Sequence, residues 1–523
     1  MSVQIESNKA IILRKDRLLE NSTGIVGVLI FLFCIGRLFW LADFPDAELI
    51  KFVPDDAFYY IVLAKNFSLV QRWTFDGQAP ASGFHLLWGY LLAAIFAVFP
   101  AITWKILFVV TGVFGSVAYS VAASLVAATL KKLIGVSAVY GVVFVFLGGS
   151  SITQPAMLME APLVSLFAAA LFYIACREVD RVGAGHMLFA GAVGLLGMLS
   201  RSDFGLLPLI LFCVSVSLRN QRMTQVTLSA LLGAVIGLAL VVAHTYWLSG
   251  ELAPASAQMK SHWAQVDGAS IKPGYKILLA LAVPFFSPWE EGLQSQYGFL
   301  VLLTLLGFAM YVALTHKNRR KIFPIFISAV FVIAGYLFLY RHNGALQIWY
   351  GASFLVPLSL LFGVATSALC FRLPLLAVLL LSILSAYSWR ISLNAPWPWQ
   401  SSMLKGGLYL KKYPIEGSVG AWNAGIISWF SERQIVNLDG LVNDEVLQYA
   451  KSGRLSDYVA KLQITYVMDF PFMLSSVFSA SHGYSDGKLN SCLIIEYEIP
   501  SASPAEQFGG KLTLYKVRDN CLR

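Results

Sequence analysis

Long apolar runs separated by short charged breaks fill the first three quarters of the chain. The first run covers 24–42, and others lie near 134–150, 157–176, 186–199, 203–218, 226–248, 297–315, 322–340, 352–371 and 374–392. A helix needs ~20 apolar residues to cross a bilayer, so these runs read as membrane spans, the shorter ones with soft boundaries. The stretch 84–130 reads as two helices, 84–100 and 103–130, although the charge pattern asks for one net crossing there. One of the two is therefore expected to be interfacial or re-entrant, and the total comes to about eleven crossings. Lys9, Arg14, Lys15 and Arg17 precede the first run, with no small-residue cleavage site after it. That run is expected to be a membrane helix, not a signal peptide, with the N-terminus cytoplasmic. The basic cluster at 317–321 sets the same side, joined by Arg219 with Arg222, Arg177 with Arg181, and Lys131 with Lys132. The segment 43–83, the loop near Glu160, the loop 249–296 and the tail after 392 are then expected on the outer face.

Composition sharpens this picture. Of 523 residues, 57% are hydrophobic and only 13% charged, about half the ~25% of an average globular chain. A disordered chain, a secreted disulfide scaffold and a soluble nucleic-acid binder are excluded. The net charge of +9 fits basic cytoplasmic loops better than a nucleic-acid surface. The six cysteines show no CxxC or His-paired metal spacing, and Cys34, Cys176, Cys213 and Cys370 fall in apolar runs as packing residues. From about Pro396 charges return, and short β-rich runs (418–421, 434–437, 464–467, 493–495, 511–515) alternate with helical stretches near 424–431, 443–451 and 455–462. Two domains follow: a transmembrane core over 1–395 and an extracytoplasmic α/β domain over 396–523. Cys492 and Cys521 can pair there in an oxidising compartment.

The candidate chemistry begins in the first outer loop, with Asp43, Asp46 and Glu48 and then Pro54-Asp55-Asp56-Ala57-Phe58-Tyr59-Tyr60. An ionised Asp at a helix centre in the bilayer costs roughly 2.5–3.5 kcal/mol, so the acid pair belongs at or above the interface, on a helix lying along the membrane. Taken alone, Asp after proline is also ordinary helix-start chemistry. A turn at Thr74-Phe75-Asp76-Gly77 and the helix entry Gly83-Phe84-His85-Leu86-Leu87-Trp88 follow. The order DD-x2-YY-x3-A-x-N, FDG, GFH-x-LW resembles bacterial and archaeal members of the GT-C superfamily of membrane glycosyltransferases, similar to the protein O-mannosyltransferases and the lipid A aminoarabinose transferases. Met159-Glu160-Ala161-Pro162, Arg201-Ser202-Asp203 and the 437–443 segment NLDGLVN extend the resemblance over most of the chain. Leu86 departs from it, standing where a proline is expected, and removes no functional group.

The resemblance implies a GT-C-like core and transfer of one sugar from a polyprenyl-phosphate donor to a glycan, lipid or protein acceptor, at the outer face of a plasma (inner) membrane. An acceptor hydroxyl attacks the anomeric carbon as the lipid phosphate leaves, so a carboxylate must take the proton and cations must meet the phosphate. Asp55 is the favoured base, with Asp56 orienting the site. Tyr59, His85, Glu160, Arg201, Asp203, Lys260, His262 and Arg341 are the candidate substrate-binding residues. Arg341 also reads as a snorkelling anchor, Arg201 with Asp203 as a structural ion pair, and His85 and Glu160 as helix-start residues. No cofactor is expected and no metal cluster is visible, although a divalent ion at the Asp pair is an open alternative, since paired carboxylates bind hard cations. Trp73, Trp88, Trp263, Trp289, Trp349 and Trp397 are expected mostly in the interfacial belt. In Gly420-Ala421-Trp422-Asn423-Ala424-Gly425 the absence of G-x-G-x-x-G and of a Walker lysine excludes nucleotide binding. The competing class is a lipid-linked-sugar flippase or secondary transporter, whose marks would be mid-span charges and repeated halves; a non-catalytic envelope subunit is a third.

Overall fold

The computed structural model describes residues 22–176, 182–266, 306–340, 347–372 and 392–522, with scattered positions between 375 and 390. Among them five helices are long and apolar enough to cross a membrane, and six shorter apolar helices accompany them. The protein is membrane-embedded. Expected positions in 177–181, 267–305, 341–346 and much of 373–391, Arg341 and Trp289 included, lie outside the described residues.

Helix α1 (Ser22–Ala42) leads through a short turn at 46–52 to α2 (Asp55–Val70), the helix of the acid pair. Helices α3 (Leu86–Val98) and α4 (Trp104–Leu133) follow as two separate helices. The expected span at 134–150 is corrected. It holds a 3-10 turn, Val136–Ala138, that leads into the short helix α5 (Val139–Phe146), and the chain then breaks at Gly148-Gly149 and runs through a 3-10 segment, Ser151–Ala156. Irregular backbone at such depth must be satisfied within the protein. Residues 148–165 are buried, Tyr119 donates its hydroxyl to the Phe146 carbonyl at 2.9 Å, and Trp88 donates Nε1 to Leu158 O at 3.0 Å. Leu158 sits in the left-handed region at φ 57°, where a branched side chain is disfavoured. This reversal turns the chain just before Glu160.

The bundle continues with α6 (Ala161–Cys176), α7 (Ala184–Ser200), α8 (Leu206–Ser217), α9 (Gln221–Ser249), α10 (Ala255–Val266), α11 (Arg319–Leu339) and α12 (Ala352–Arg372). Small residues allow its closest crossings, as in other membrane bundles. A Cβ on Gly194 of α7 would lie 1.9 Å from Ala230 O of α9, and one on Gly233 would lie 1.9 Å from Gly191 O.

After α13 (Gln400–Lys412) the chain forms β1 (Ser418–Ala421), α14 (Ala424–Ser431), β2 (Ile435–Asn437), α15 (Asp444–Lys451), α16 (Leu455–Lys461), β3 (Ile464–Asp469), β4 (Leu493–Glu498) and β5 (Thr513–Val517). The sheet order is β2-β1-β3-β5-β4. β1 runs parallel to β2 and β3, while β5 is antiparallel to β3 and β4. Cys492 and Cys521 are disulfide-bonded at its far edge. The three parallel strands end at Ala421, Asn437 and Asp469, beside the start of α2. α2 packs on α14, and α13 packs on both α14 and the 50–52 turn.

Candidate active site

Helix α2 owes its start to Pro54, whose extended backbone precedes two acids in the first turn, where the helix dipole favours negative charge. Side chains four apart share a helix face, so α2 has two working faces: Asp55 with Tyr59, and Asp56 with Tyr60.

The first face meets the sheet unit. Asp55 is 8% exposed, and its carboxylate accepts N–H bonds from Ile426 at 2.6 Å and Gly425 at 3.3 Å, the opening residues of α14. Burial pushes this carboxyl up to about 8, against the pull of the two N–H groups. The Tyr59 hydroxyl lies 2.6 Å from Asp439 Oδ2 and 2.8 Å from Trp422 O. Burial likewise raises Asp439, to about 7. The second face meets a cavity. Asp56, Tyr60, Gly83, Phe84, His85, Glu160, Arg201, Lys260, Trp349 and Tyr350 line a polar chamber of about 50 Å3 that Leu441 and Val442 of the sheet unit wall off. The acid pair is thus divided, and the geometry disfavours Asp55 as the base.

Two cations converge on this chamber through one aromatic ring. Lys260 donates to the Tyr350 hydroxyl at 3.0 Å, and the Arg201 guanidinium lies over the Tyr350 ring, 4.3 Å from its centroid. Arg201 is 3% exposed. It donates Nε to both Asp203 oxygens at 3.1 Å and Nη1 to Glu160 Oε1 at 3.4 Å, and the Tyr340 hydroxyl accepts from Arg201 Nη2 and donates to Asp203 Oδ2. Lys260 has no carboxylate within salt-bridge distance among the described residues. Burial would lower its ammonium, but Tyr350 and Asp56 outweigh that and hold it raised. Asp56 is itself raised by burial, with Lys260 opposing. His85 Nε2 is 3.6 Å from Glu160 Oε1, yet burial, with Arg201 and Lys260 adding to it, keeps the imidazole well below its usual range and neutral. Glu160 is fully buried and its Oε2 has no hydrogen-bond partner among the described residues.

The chamber shares Phe84, His85, Arg201, Ser256, Lys260 and Tyr350 with a second cavity of about 520 Å3, whose remaining wall includes Leu86, Met198, Leu199, Val241 and Leu339 beside Ser202 and Asp203. A polar head room therefore opens into a space with an apolar side.

Of the expected site residues, Asp56, Tyr59, His85, Glu160, Arg201, Asp203 and Lys260 line these joined cavities. Asp55 does not, and His262 does not: it lies on α10 within electrostatic reach of His482 of the sheet unit. The belt expectation for four tryptophans is overturned, since Trp73, Trp88, Trp349 and Trp397 are all buried. Tyr350 and Tyr340 went unread from sequence, and Leu441 and Val442 were read only as part of the 437–443 motif, with no place in the site. For Tyr350 the available signal was the aromatic pair Trp349-Tyr350 opening an apolar run. No group of three or more His, Cys, Asp or Glu side chains among the described residues is placed to hold a metal.

Residues 398–512 match the family described as "Domain of unknown function (DUF8728)". No curated protein matches the chain. Among solved structures, the archaeal oligosaccharyltransferase AglB from Archaeoglobus fulgidus, in complex with an inhibitory peptide and a dolichol-phosphate, is similar at 13% identity and a TM-score of 0.57, over 96% of this chain and 75% of that one. ArnT from Cupriavidus metallidurans, bound to undecaprenyl phosphate, is similar at 12% identity and a TM-score of 0.55, over 95% of this chain and 99% of that one. A second A. fulgidus oligosaccharyltransferase structure, in complex with Zn and sulfate, aligns at 13% identity and a TM-score of 0.52, over 87% of this chain and 69% of that one. Both AglB and ArnT belong to the GT-C superfamily, and at these identities the likeness speaks to architecture: this chain has the GT-C fold along nearly its whole length.

Proposed function

We propose that the protein is a membrane glycosyltransferase that moves a single sugar from a polyprenyl-phosphate donor to a cell-envelope acceptor at the outer face of the plasma membrane. The carrying observation is the meeting of the Asp56 carboxylate, beside Glu160, with two cations, Arg201 and Lys260, in a chamber that opens into an apolar-walled cavity. In support, AglB and ArnT, which share the fold, were solved with dolichol-phosphate and undecaprenyl phosphate. Sidedness follows the positive-inside rule, with about eleven crossings and the sheet unit outside.

In this reading Asp56 takes the proton as the acceptor oxygen forms its bond to the anomeric carbon, and the bond from that carbon to the phosphate oxygen breaks. The leaving group is the polyprenyl phosphate, whose growing charge falls to Lys260. Lys260 suits that task because it donates to the Tyr350 hydroxyl and has no carboxylate within salt-bridge distance among the described residues, so a phosphate need break no contact ion pair. Arg201, tied to Asp203 and Glu160, is fixed in place and adds field more than a mobile contact. Neutral His85 is a donor or acceptor for sugar hydroxyls, and Glu160 Oε2, without a partner among the described residues, is an acceptor, since a buried polar group gains most from a partner.

The test uses purified protein in lipid with a panel of radiolabelled polyprenyl-phosphate sugars and membrane extract as acceptor. Wild type is expected to transfer one sugar of the panel. Release of no sugar, with carrier lipid still bound, would hand the lead to the flippase reading.

A further inference from the structure

Open α/β sheets bind their ligands in the crevice beyond the carboxyl ends of the parallel strands. Here that crevice, at the ends of β1, β2 and β3, is filled by the chain's own helix α2. The N–H groups that open α14 would suit a ligand oxygen, and the oxygens they hold are those of the Asp55 carboxyl. One turn on, Tyr59 reaches Asp439 and the Trp422 carbonyl. Phe58 between them packs on Phe430 of α14, ring centroids 6.0 Å apart. The contact is tight enough to dictate a glycine. A Cβ at Gly425 would lie 2.5 Å from the Asp55 carbonyl oxygen, 2.8 Å from Asp55 Oδ1 and 3.0 Å from Phe58 Cβ.

Asp56 lies between these two attachments on the same turn, about 100° round the helix from Asp55, and faces the chamber. Any roll of α2 about its axis moves Asp56 with it. The sheet unit supplies the attachments at Asp55 and Tyr59, on either side of Asp56, while Tyr60 and Asn66 tie the helix to the 74–85 segment. We propose that the C-terminal sheet unit is part of the catalytic apparatus, with Asp55 and Tyr59 acting as positioning residues that set Asp56 against the cations. The inference rests on the glycosyltransferase reading above, and it assigns to the sheet unit a role separate from binding either substrate. Leu441 and Val442 are a second contribution of the sheet unit, lining the chamber that Asp56 faces.

The test substitutes a residue that touches neither cavity. Gly425→Ala presses on the Asp55 backbone, and a displacement on the order of 1 Å at a reacting group costs roughly 10²-fold in rate. The expected result is a fall in kcat of that order, with the KM for the polyprenyl-phosphate sugar within about twofold of wild type. Asp55→Asn, which keeps an oxygen for the α14 N–H groups, is expected to recover much of the activity that Asp55→Ala loses. Folding is followed by tryptophan fluorescence and thermal transition, and if Gly425→Ala does not fold, Asp439→Ala carries the same test from the partner of Tyr59. A folded variant with unchanged kcat, or with a loss confined to KM, overturns the inference. Asp56→Asn in the same assay separates the two claims. If it is inactive while Gly425→Ala is normal, only the positioning role fails; if Asp56→Asn is fully active, the glycosyltransferase site itself is misassigned.

Discussion

Asp56 has to be ionised to accept a proton, and its surroundings resist ionisation. Burial raises its carboxyl, and the Lys260 ammonium offsets only part of that. The acid limb of kcat/KM is therefore expected above the ~3.9 of a free aspartate, with rate rising as pH climbs through the raised value. Lys260→Gln removes the offsetting charge, so it is expected to move the limb to higher pH and also to weaken binding of the lipid phosphate, by about tenfold to a hundredfold for a lost charge-assisted bond. A pH–rate profile of both proteins checks this, and a limb at the ordinary carboxylate value in both would contradict it. The acid pair itself was legible in the sequence; which member faces the cavity was not. Adjacent helical residues point about 100° apart, and the choice is made by a backbone N–H lying 370 residues further on, at Gly425. Tyr350 was equally hidden, because an aromatic at the start of an apolar run looks the same whether it meets lipid or two cations.

Helix α7 and helix α9 touch through Gly191, Gly194, Ala230 and Gly233, with backbone nearly on backbone. Gly194→Leu or Gly233→Leu is expected to force the pair apart and to cost about 1–3 kcal/mol, the usual penalty of overpacking. Thermal unfolding in detergent measures it, and an unchanged transition would show that the crossing is looser than described. Five helices of spanning length were readable from hydropathy because apolar length is the dominant signal in a bilayer. The run at 134–150 shows its limit. An apolar run reports burial in lipid and burial in protein alike, and only the Gly148-Gly149 break and Pro155 separate α5 with its buried 3-10 segment from a span. The alternation of short strands and helices after 396 was also legible. Its sheet order was not, since the pairing of β5 between β3 and β4 leaves no trace in local pattern.

At the scale of the whole molecule, the seam between the membrane bundle and the sheet unit buries carboxyls that hold protons more tightly when folded than when unfolded. Asp55 is raised to about 8 and Asp439 to about 7, both chiefly by burial, against ~3.9 for the unfolded chain. Between these limits the folded state binds more protons than the unfolded one, so stability falls as pH rises. This contribution is complete below pH ~4 and is lost as pH climbs through 7 to 8. The seam is accordingly expected to protect less at pH 9 than at pH 6, read by hydrogen exchange of the 420–443 segment. Asp439→Asn is expected to flatten the dependence. Protection that grows with pH would contradict the burial of these groups.

The most direct measurement compares sugar transfer by wild type, Asp56→Asn and Asp55→Asn in lipid, alongside retention of the polyprenyl-phosphate carrier. Loss of a general base costs about 10²–10⁴-fold. Asp56→Asn is therefore expected to lose transfer by that factor with carrier binding intact, while Asp55→Asn keeps measurable turnover. Full activity in Asp56→Asn, or an inactive Asp55→Asn beside it, would contradict the placement of the base.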